Sequence, residues 1–283
     1  MTAPPDAGPP DTEPAEAAQP ETARLRADDV TMAYGPRTVV RSLSLDVPDG
    51  AVTVVVGPNA CGKSTLLRGL ARLLRPVSGT VLLDGKAIAE RPTREVARMI
   101  GMLPQSPVAP EGIAVRELVA RGRHPHQSWW RQWSAEDDEA VQDAMAATGV
   151  TDLADREVDE LSGGQRQRAW IAMAVAQRTE LLLLDEPTTY LDVAHQLDVL
   201  ELVAALNRDR RRTVVMVLHD LNLACRYADH IVAMRDGRVV AEGRPGEVVT
   251  ARLLRQVFSV EASVLTDPVS GTPVVLPHRT VSE

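Results

Sequence analysis

Of the 31 basic side chains in this 283-residue sequence only Lys63 and Lys86 are lysine, and Lys63 lies in the string Gly57-Pro58-Asn59-Ala60-Cys61-Gly62-Lys63-Ser64, followed by Thr65. The string fits G-x-x-x-x-G-K-[ST] without a mismatch, between an apolar run expected to be a strand and a stretch expected to be a helix, the context the motif requires. Backbone N–H groups of such a loop and of the helix N-terminus converge on a β-phosphate, where the helix dipole favours anions. Lys63 is expected to reach the β- and γ-oxygens as a compact point charge. A planar guanidinium is too bulky there, which explains a lysine in an arginine-biased chain. The Ser64 hydroxyl is expected to bind Mg²⁺. Cys61 reads as a small filler pointing away from phosphate rather than as a redox switch. The chemistry is that of a nucleoside triphosphate site.

A second constellation is Leu181-Leu182-Leu183-Leu184-Asp185-Glu186, an apolar strand ending in two acids. Asp185 is placed to hold Mg²⁺, and Glu186 to polarise the water that attacks a γ-phosphorus. Side chains alternate along a strand, so the two carboxylates are expected on opposite sides, with different tasks. His219 follows another apolar strand, 214–218, and so belongs on the same carboxyl edge of the sheet, where open α/β sheets bind ligands. There it could bond the γ-phosphate and orient the water. The string Leu161-Ser162-Gly163-Gly164-Gln165 opens a helix with a hydroxyl donor, a further phosphate-binding helix end. One chain's phosphate site has no need of two such helices.

The elements that position these residues follow from hydrophobic periodicity. Residues 30–33 and 39–47 read as antiparallel strands around a Gly35-Pro36 turn, and 52–56 as a buried strand before the phosphate loop. Helix 64–74, strand 81–83, helix 164–176, strand 181–184, helix 195–207, strand 214–218, helix 221–227 and strand 231–234 complete an alternation that implies a mostly parallel sheet with helices on both faces. The fold class is therefore α/β, with an antiparallel β subdomain and a helical subdomain inserted at about residues 93–165. Residues 1–23, with six prolines, five acids and no base, read as a disordered tail. Residues 24–258 read as one catalytic domain and 259–283 as an appended hairpin, with helix 251–258 leading into strands 260–265 and 273–276 about the Asp267–Gly271 turn.

Composition excludes other classes. The net charge of −8 gives no electrostatic reason to hold nucleic acid. Two cysteines, Cys61 and Cys225, cannot build a disulfide framework. No apolar run approaches the length of a membrane span, and the Pro- and acid-rich start is unlike a signal peptide, so the chain is expected to be cytosolic and to meet a membrane only through a partner.

Taken together, the motifs resemble the ABC ATPases, in which the Ser-Gly-Gly-Gln signature of one subunit closes on ATP held by the partner's phosphate loop. The resemblance runs from about Leu25 to Met234. It implies that Tyr34 stacks on adenine, that Gln105 touches Mg²⁺ and links the site to the helical subdomain, and that Asp192 lies in the loop crossing the dimer interface. Ala60 stands where many relatives have glycine, and alanine is expected to fit there with a negative φ at no loss. Within the family the chain resembles the motors of iron–siderophore importers, through Arg121–Gln127, Thr188–Gln196 and His219–Ala224 with Asp229. Haem, cobalamin and metal importers carry near variants. The resemblance implies ATP and Mg²⁺, a second copy of the chain, integral-membrane permease subunits at the cytoplasmic face, and no direct contact with cargo. A metal or haem site at His124, His126 and the nearby tryptophans is set aside, because a subunit that never meets cargo needs none, and the tryptophan cluster Trp129, Trp130 and Trp133 is read as packing against a short cytoplasmic helix of the permease. Soluble ABC proteins of DNA repair or translation share the motifs but carry long coiled-coil insertions or tandem cassettes, which these residues lack.

Overall fold

The apolar runs Val52–Val56, Leu181–Asp185 and Thr213–Val217 are buried along their whole length, as strands covered on both faces must be. The computed structural model describes residues 23–127 and 133–281. The reading of the N-terminal tail and of Trp129 and Trp130 falls outside those residues. In chain order the elements are β1 (Leu25–Tyr34), β2 (Arg37–Val47), β3 (Val52–Val56), α1 (Lys63–Leu70), β4 (Ser78–Leu83), β5 (Lys86–Ala87), α2 (Thr93–Met99) and β6 (Ile100–Leu103). There follow α3 (Val115–Ala120), α4 (Ala135–Ala147), α5 (Gly163–Ala176), β7 (Leu181–Asp185), α6 (Val193–Arg210), β8 (Thr213–Val217), α7 (Leu221–Tyr227), β9 (His230–Arg235), β10 (Arg238–Gly243), α8 (Pro245–Val248), α9 (Ala251–Phe258), β11 (Val260–Thr266) and β12 (Pro273–Thr280).

The central sheet has the order β10-β9-β3-β8-β7-β6, parallel from β9 to β6 with β10 antiparallel at its edge. A second, antiparallel sheet has the order β2-β1-β4-β5. The central sheet separates two cores by the period of two that strands impose. Val55, Leu183, Val215 and Val232 face α1 and the antiparallel sheet, with Leu43, Leu66 and Leu70. Val54, Leu184, Met216 and Ile231 face the helices, with Leu118, Ile171 and Val203. The functional edge of the sheet is thus clamped from both sides.

The structure differs from the sequence reading at three places. Ile100–Leu103, inside the range read as helical, is an edge strand pairing in parallel with β7. Four residues with a glycine among them carry too little β-branched signal to declare a strand. Arg238–Gly243 forms β10, which the sequence reading left out. Helix α1 stops at Leu70 rather than residue 74, because Arg72 takes a left-handed φ of 60°. At the C-terminus β11 and β12 pair as a two-stranded sheet and pack on α9 and α7.

Candidate functional site

The phosphate loop joins β3 to α1. Gly57 has φ 153°, and a side chain there would put its first carbon 2.2 Å from the Met234 carbonyl oxygen, so the loop's entry requires glycine. Ala60 departs from expectation: its φ is +61°, not negative. Alanine in this left-handed conformation crowds its Cβ against the backbone at a cost of about 1–2 kcal/mol, a strain that glycine would not carry. Cys61 is buried against the loop's apolar core, and burial pushes its thiol pKa up, which leaves the group inert. Lys63 is 5% exposed and donates to the carbonyls of Gly57 at 2.8 Å and Pro58 at 3.0 Å. Its buried ammonium is thus held by the loop it will serve.

Asp185, at the end of β7, accepts from the Ser64 hydroxyl at 2.8 Å through Oδ1. Its Oδ2 is buried with no hydrogen-bond partner, and burial raises the carboxyl pKa. An orphaned carboxylate oxygen beside a serine hydroxyl fits a hard divalent cation. Glu186 lies just past the strand with φ +53°, so the divergence of the two acids comes from a left-handed turn as well as from strand alternation. Strain of this kind, about 1–3 kcal/mol, persists where the surroundings over-determine the geometry. The surroundings here do so: Glu186 Oε2 accepts from Gln105 Nε2 at 2.6 Å and from Thr189 Oγ1 at 3.1 Å, while Oε1 lies 2.7 Å from His219 Nε2.

Ala60, Lys63, Ser64, Gln105, Glu186 and His219 line a polar cleft of about 590 Å³ with Asn59, Gly62, Thr65 and Tyr34. Tyr34 stands half-exposed at its rim, its hydroxyl accepting from Arg68 at 3.2 Å. Arg37, Val39, Thr189 and Tyr190 also line it, and sequence reasoning missed them. Arg37 has a signal in retrospect: a cation three residues beyond the aromatic, next to the turn. Gly57, Pro58, Cys61 and Asp185 support the cleft from behind. Ser162, Gly163, Gly164, Gln165 and Asp192 do not line it. Ser162 caps α5, accepting from the Gln165 amide at 3.3 Å while its own amide donates to the Gln165 side chain at 3.2 Å. That helix start has no acid in its first turn. Asp192 caps α6.

Away from the cleft, Arg123 is 2% exposed and joins Asp137, 4% exposed, at 2.8 Å, and its other donor reaches the Ala176 carbonyl at 2.8 Å. Burial alone would raise the Asp137 pKa, but Arg123 and Ser134 hold it below the usual carboxylate range. His126 contacts the Gln177 carbonyl at 2.8 Å, and burial lowers its pKa. Beside α3 and α4 an apolar groove of about 630 Å³ is lined by Ala120, Trp133, Val141 and Met145.

The family model described as ABC transporter matches residues 40–189. The chain is 56% identical over 254 residues to a probable siderophore transport system ATP-binding protein of Bacillus subtilis, covering 90% of this chain and 92% of that one. It is 55% identical to the ferric enterobactin transport ATP-binding protein of Escherichia coli, covering 90% and 94%. Among solved structures it superposes on a dimeric bacterial ABC transporter cassette with a TM-score of 0.69 at 27% identity, over 78% of this chain and 98% of the other.

Proposed function

The chain belongs to the ABC transporter ATP-binding family, and from that premise we propose that it powers import of iron–siderophore complexes as the ATP-hydrolysing subunit of a membrane transporter. The observation that carries the ATPase chemistry is the Glu186 carboxylate, fixed by Gln105, Thr189 and His219 within one cleft with Lys63 and Ser64. The cargo class is supported by the names of the relatives above, both siderophore or ferric-siderophore systems. No helix among the described residues is long and apolar enough to cross a membrane. Attachment to the cytoplasmic face therefore falls to permease subunits, and the groove at Ala120, Trp133, Val141 and Met145 supports a docking place for them.

The place of each residue supports a part in the reaction. Tyr34 stacks on adenine at the rim. The loop N–H groups from Asn59 to Thr65 hold the β-phosphate, and Lys63 turns its ammonium from the loop carbonyls to the β- and γ-oxygens. Ser64, Asp185 and Gln105 would hold Mg²⁺, which when bound neutralises charge on the phosphate oxygens. Glu186 draws a proton of the attacking water toward Oε1 or Oε2 while His219 fixes the water's position, and the oxygen adds to the γ-phosphorus as the bond to the β-phosphate oxygen breaks. Catalysis is positional and electrostatic. Ser162, Gly163, Gly164, Gln165 and Asp192 lie outside their own chain's cleft, which supports their acting on nucleotide held by a second copy.

Uptake of radiolabelled ferric siderophore in a deletion strain tests the cargo. The wild-type chain should restore uptake and Glu186→Gln should not. Normal ferric-siderophore uptake in the deletion strain, together with lost cobalamin or haem uptake, would overturn the iron reading and leave the importer reading standing.

A further inference from the structure

The segment from Glu186 to Gln196 holds a set of contacts that the chemistry above does not use. Gln196 Nε2 turns back from the first turn of α6 and donates to the carbonyls of Thr188 at 3.4 Å and Leu191 at 3.2 Å. Its neighbour His195 places Nδ1 2.7 Å from Asp192 Oδ1, the oxygen that also accepts the His195 amide at 2.9 Å. The amide first, then the imidazole, hold the Asp192 carboxyl below its ordinary pKa. The imidazole also lies on α5: a side chain on Gly164 would put its first carbon 2.2 Å from His195 Cδ2. Only glycine lets the signature helix and the ring meet. At the opposite end of the segment Thr189 bonds Glu186. The segment is therefore anchored at both ends, Thr189 on the catalytic carboxylate and Asp192 on His195, with Gln196 bracing the backbone between them at Thr188 and Leu191, and the His195 ring rests on the start of α5.

Capping alone does not account for the imidazole. The His195 backbone amide already satisfies Asp192 as the cap of α6, so the side chain adds the bond to Nδ1 and the contact with Gly164. We infer that His195 is a positioning residue that couples the two nucleotide sites of the dimer. Glu186 serves the nucleotide of its own chain, while Gly164 belongs to the helix end that serves the partner's nucleotide, and the inference rests on that reading of the signature. A displacement of the Glu186 segment then tilts α5 through the ring, and closure on the partner's nucleotide pushes back along the same contacts, as reciprocal linkage requires.

The experiment uses the full chain as wild type, His195→Ala, His195→Asn and Glu186→Gln. Wild type should hydrolyse ATP with a Hill coefficient approaching about 2, the number of sites. His195→Ala should lower the coefficient to about 1 and reduce turnover at saturating ATP, because closure on one nucleotide no longer aids the other site. ATP affinity of the cleft should not change, since no lining residue is altered. His195→Asn retains a donor for Asp192 but not the ring on Gly164; it should remain folded by thermal melting and lose cooperativity as well. Wild-type cooperativity in either folded variant, with Glu186→Gln still dimerising on ATP, overturns the coupling alone. A Glu186→Gln chain that stays monomeric with ATP overturns the two-copy reading, and the coupling falls with it.

Discussion

Replacing Glu186 by glutamine separates charge from shape at the reaction centre. The carboxylate accepts on both oxygens: Gln105 and Thr189 on Oε2, His219 on Oε1. A glutamine in the same rotamer has one acceptor. With Gln105 oriented as it is, the glutamine oxygen stays on the side of Gln105 and Thr189, because two amide nitrogens 2.6 Å apart cannot bond. Its nitrogen then points at His219 Nε2, which must present a lone pair and carry its hydrogen on Nδ1. The side chains keep their places, and what disappears is the proton acceptor. General-base assistance contributes about 10²–10⁴-fold, or about 2.7–5.5 kcal/mol of barrier. Turnover, measured as phosphate release at saturating ATP, should fall by that factor. ATP affinity should stay within a few-fold of wild type, because the phosphate loop is untouched. Size-exclusion chromatography with ATP and Mg²⁺ should show a trapped dimer. Turnover within threefold of wild type would refute the role given to Glu186 and the reasoning from its hydrogen bonds.

Lys63→Arg should weaken ATP binding at least about tenfold in a fluorescence titration, because a fork-shaped guanidinium does not fit a site enclosed by two loop carbonyls; near-native affinity would defeat the steric argument. Lys63→Ala should lose binding and hydrolysis together. Ala60→Gly relieves a left-handed alanine worth about 1–2 kcal/mol against about 0.5–1 kcal/mol of added chain entropy, so denaturant unfolding should show a gain of up to about 1.5 kcal/mol, and a loss would sink the account of the loop. Asp137→Ala leaves the Arg123 guanidinium buried without a counter-charge and should cost about 3–5 kcal/mol, roughly 10 °C in Tm. Asp137 has a depressed folded pKa, so its stabilisation is full above the unfolded value of about 4 and is lost as pH falls through the folded value. The Tm gap between wild type and variant should therefore narrow below about pH 4; a gap that widens on acidification would contradict the pairing.

The parts of the site that were legible in sequence are those where chemistry allows one residue type at one spacing. Lys63, Ser64, Asp185 and Ser162 advertise themselves, and the runs at 52–56 and 181–184 announce buried strands beside them. Conformation was less legible than identity. Nothing in the word alanine says that residue 60 turns left-handed, nor does a glutamate after a strand say that the backbone reverses its hand there. Strand β6 was hidden because four residues with a glycine resemble the end of α2 that precedes them. Arg37 at the start of β2, and Thr189 and Tyr190 in the loop after β7, reach the cleft only through tertiary approach, and the His195 ring meets a glycine 31 positions away in sequence. Partners set by tertiary approach leave no local period to read.

Strand β7 begins with four consecutive leucines, two facing each core. A shift of its pairing by two residues would match leucine to leucine at one position on each face and bring Asp185 and Glu186, or Thr179 and Glu180, into the other two, so the leucines alone do not fix the register along the sheet. The polar ends do: the Thr213 amide bonds the Glu180 carbonyl at 3.0 Å, just ahead of the strand, and Ser64 bonds Asp185 at its far end. The strand is a ruler with identical marks, read only at its two tips. Interchange among apolar residues in its middle should be forgiven, whereas a change at either tip alters where the scale begins and carries both carboxylates with it.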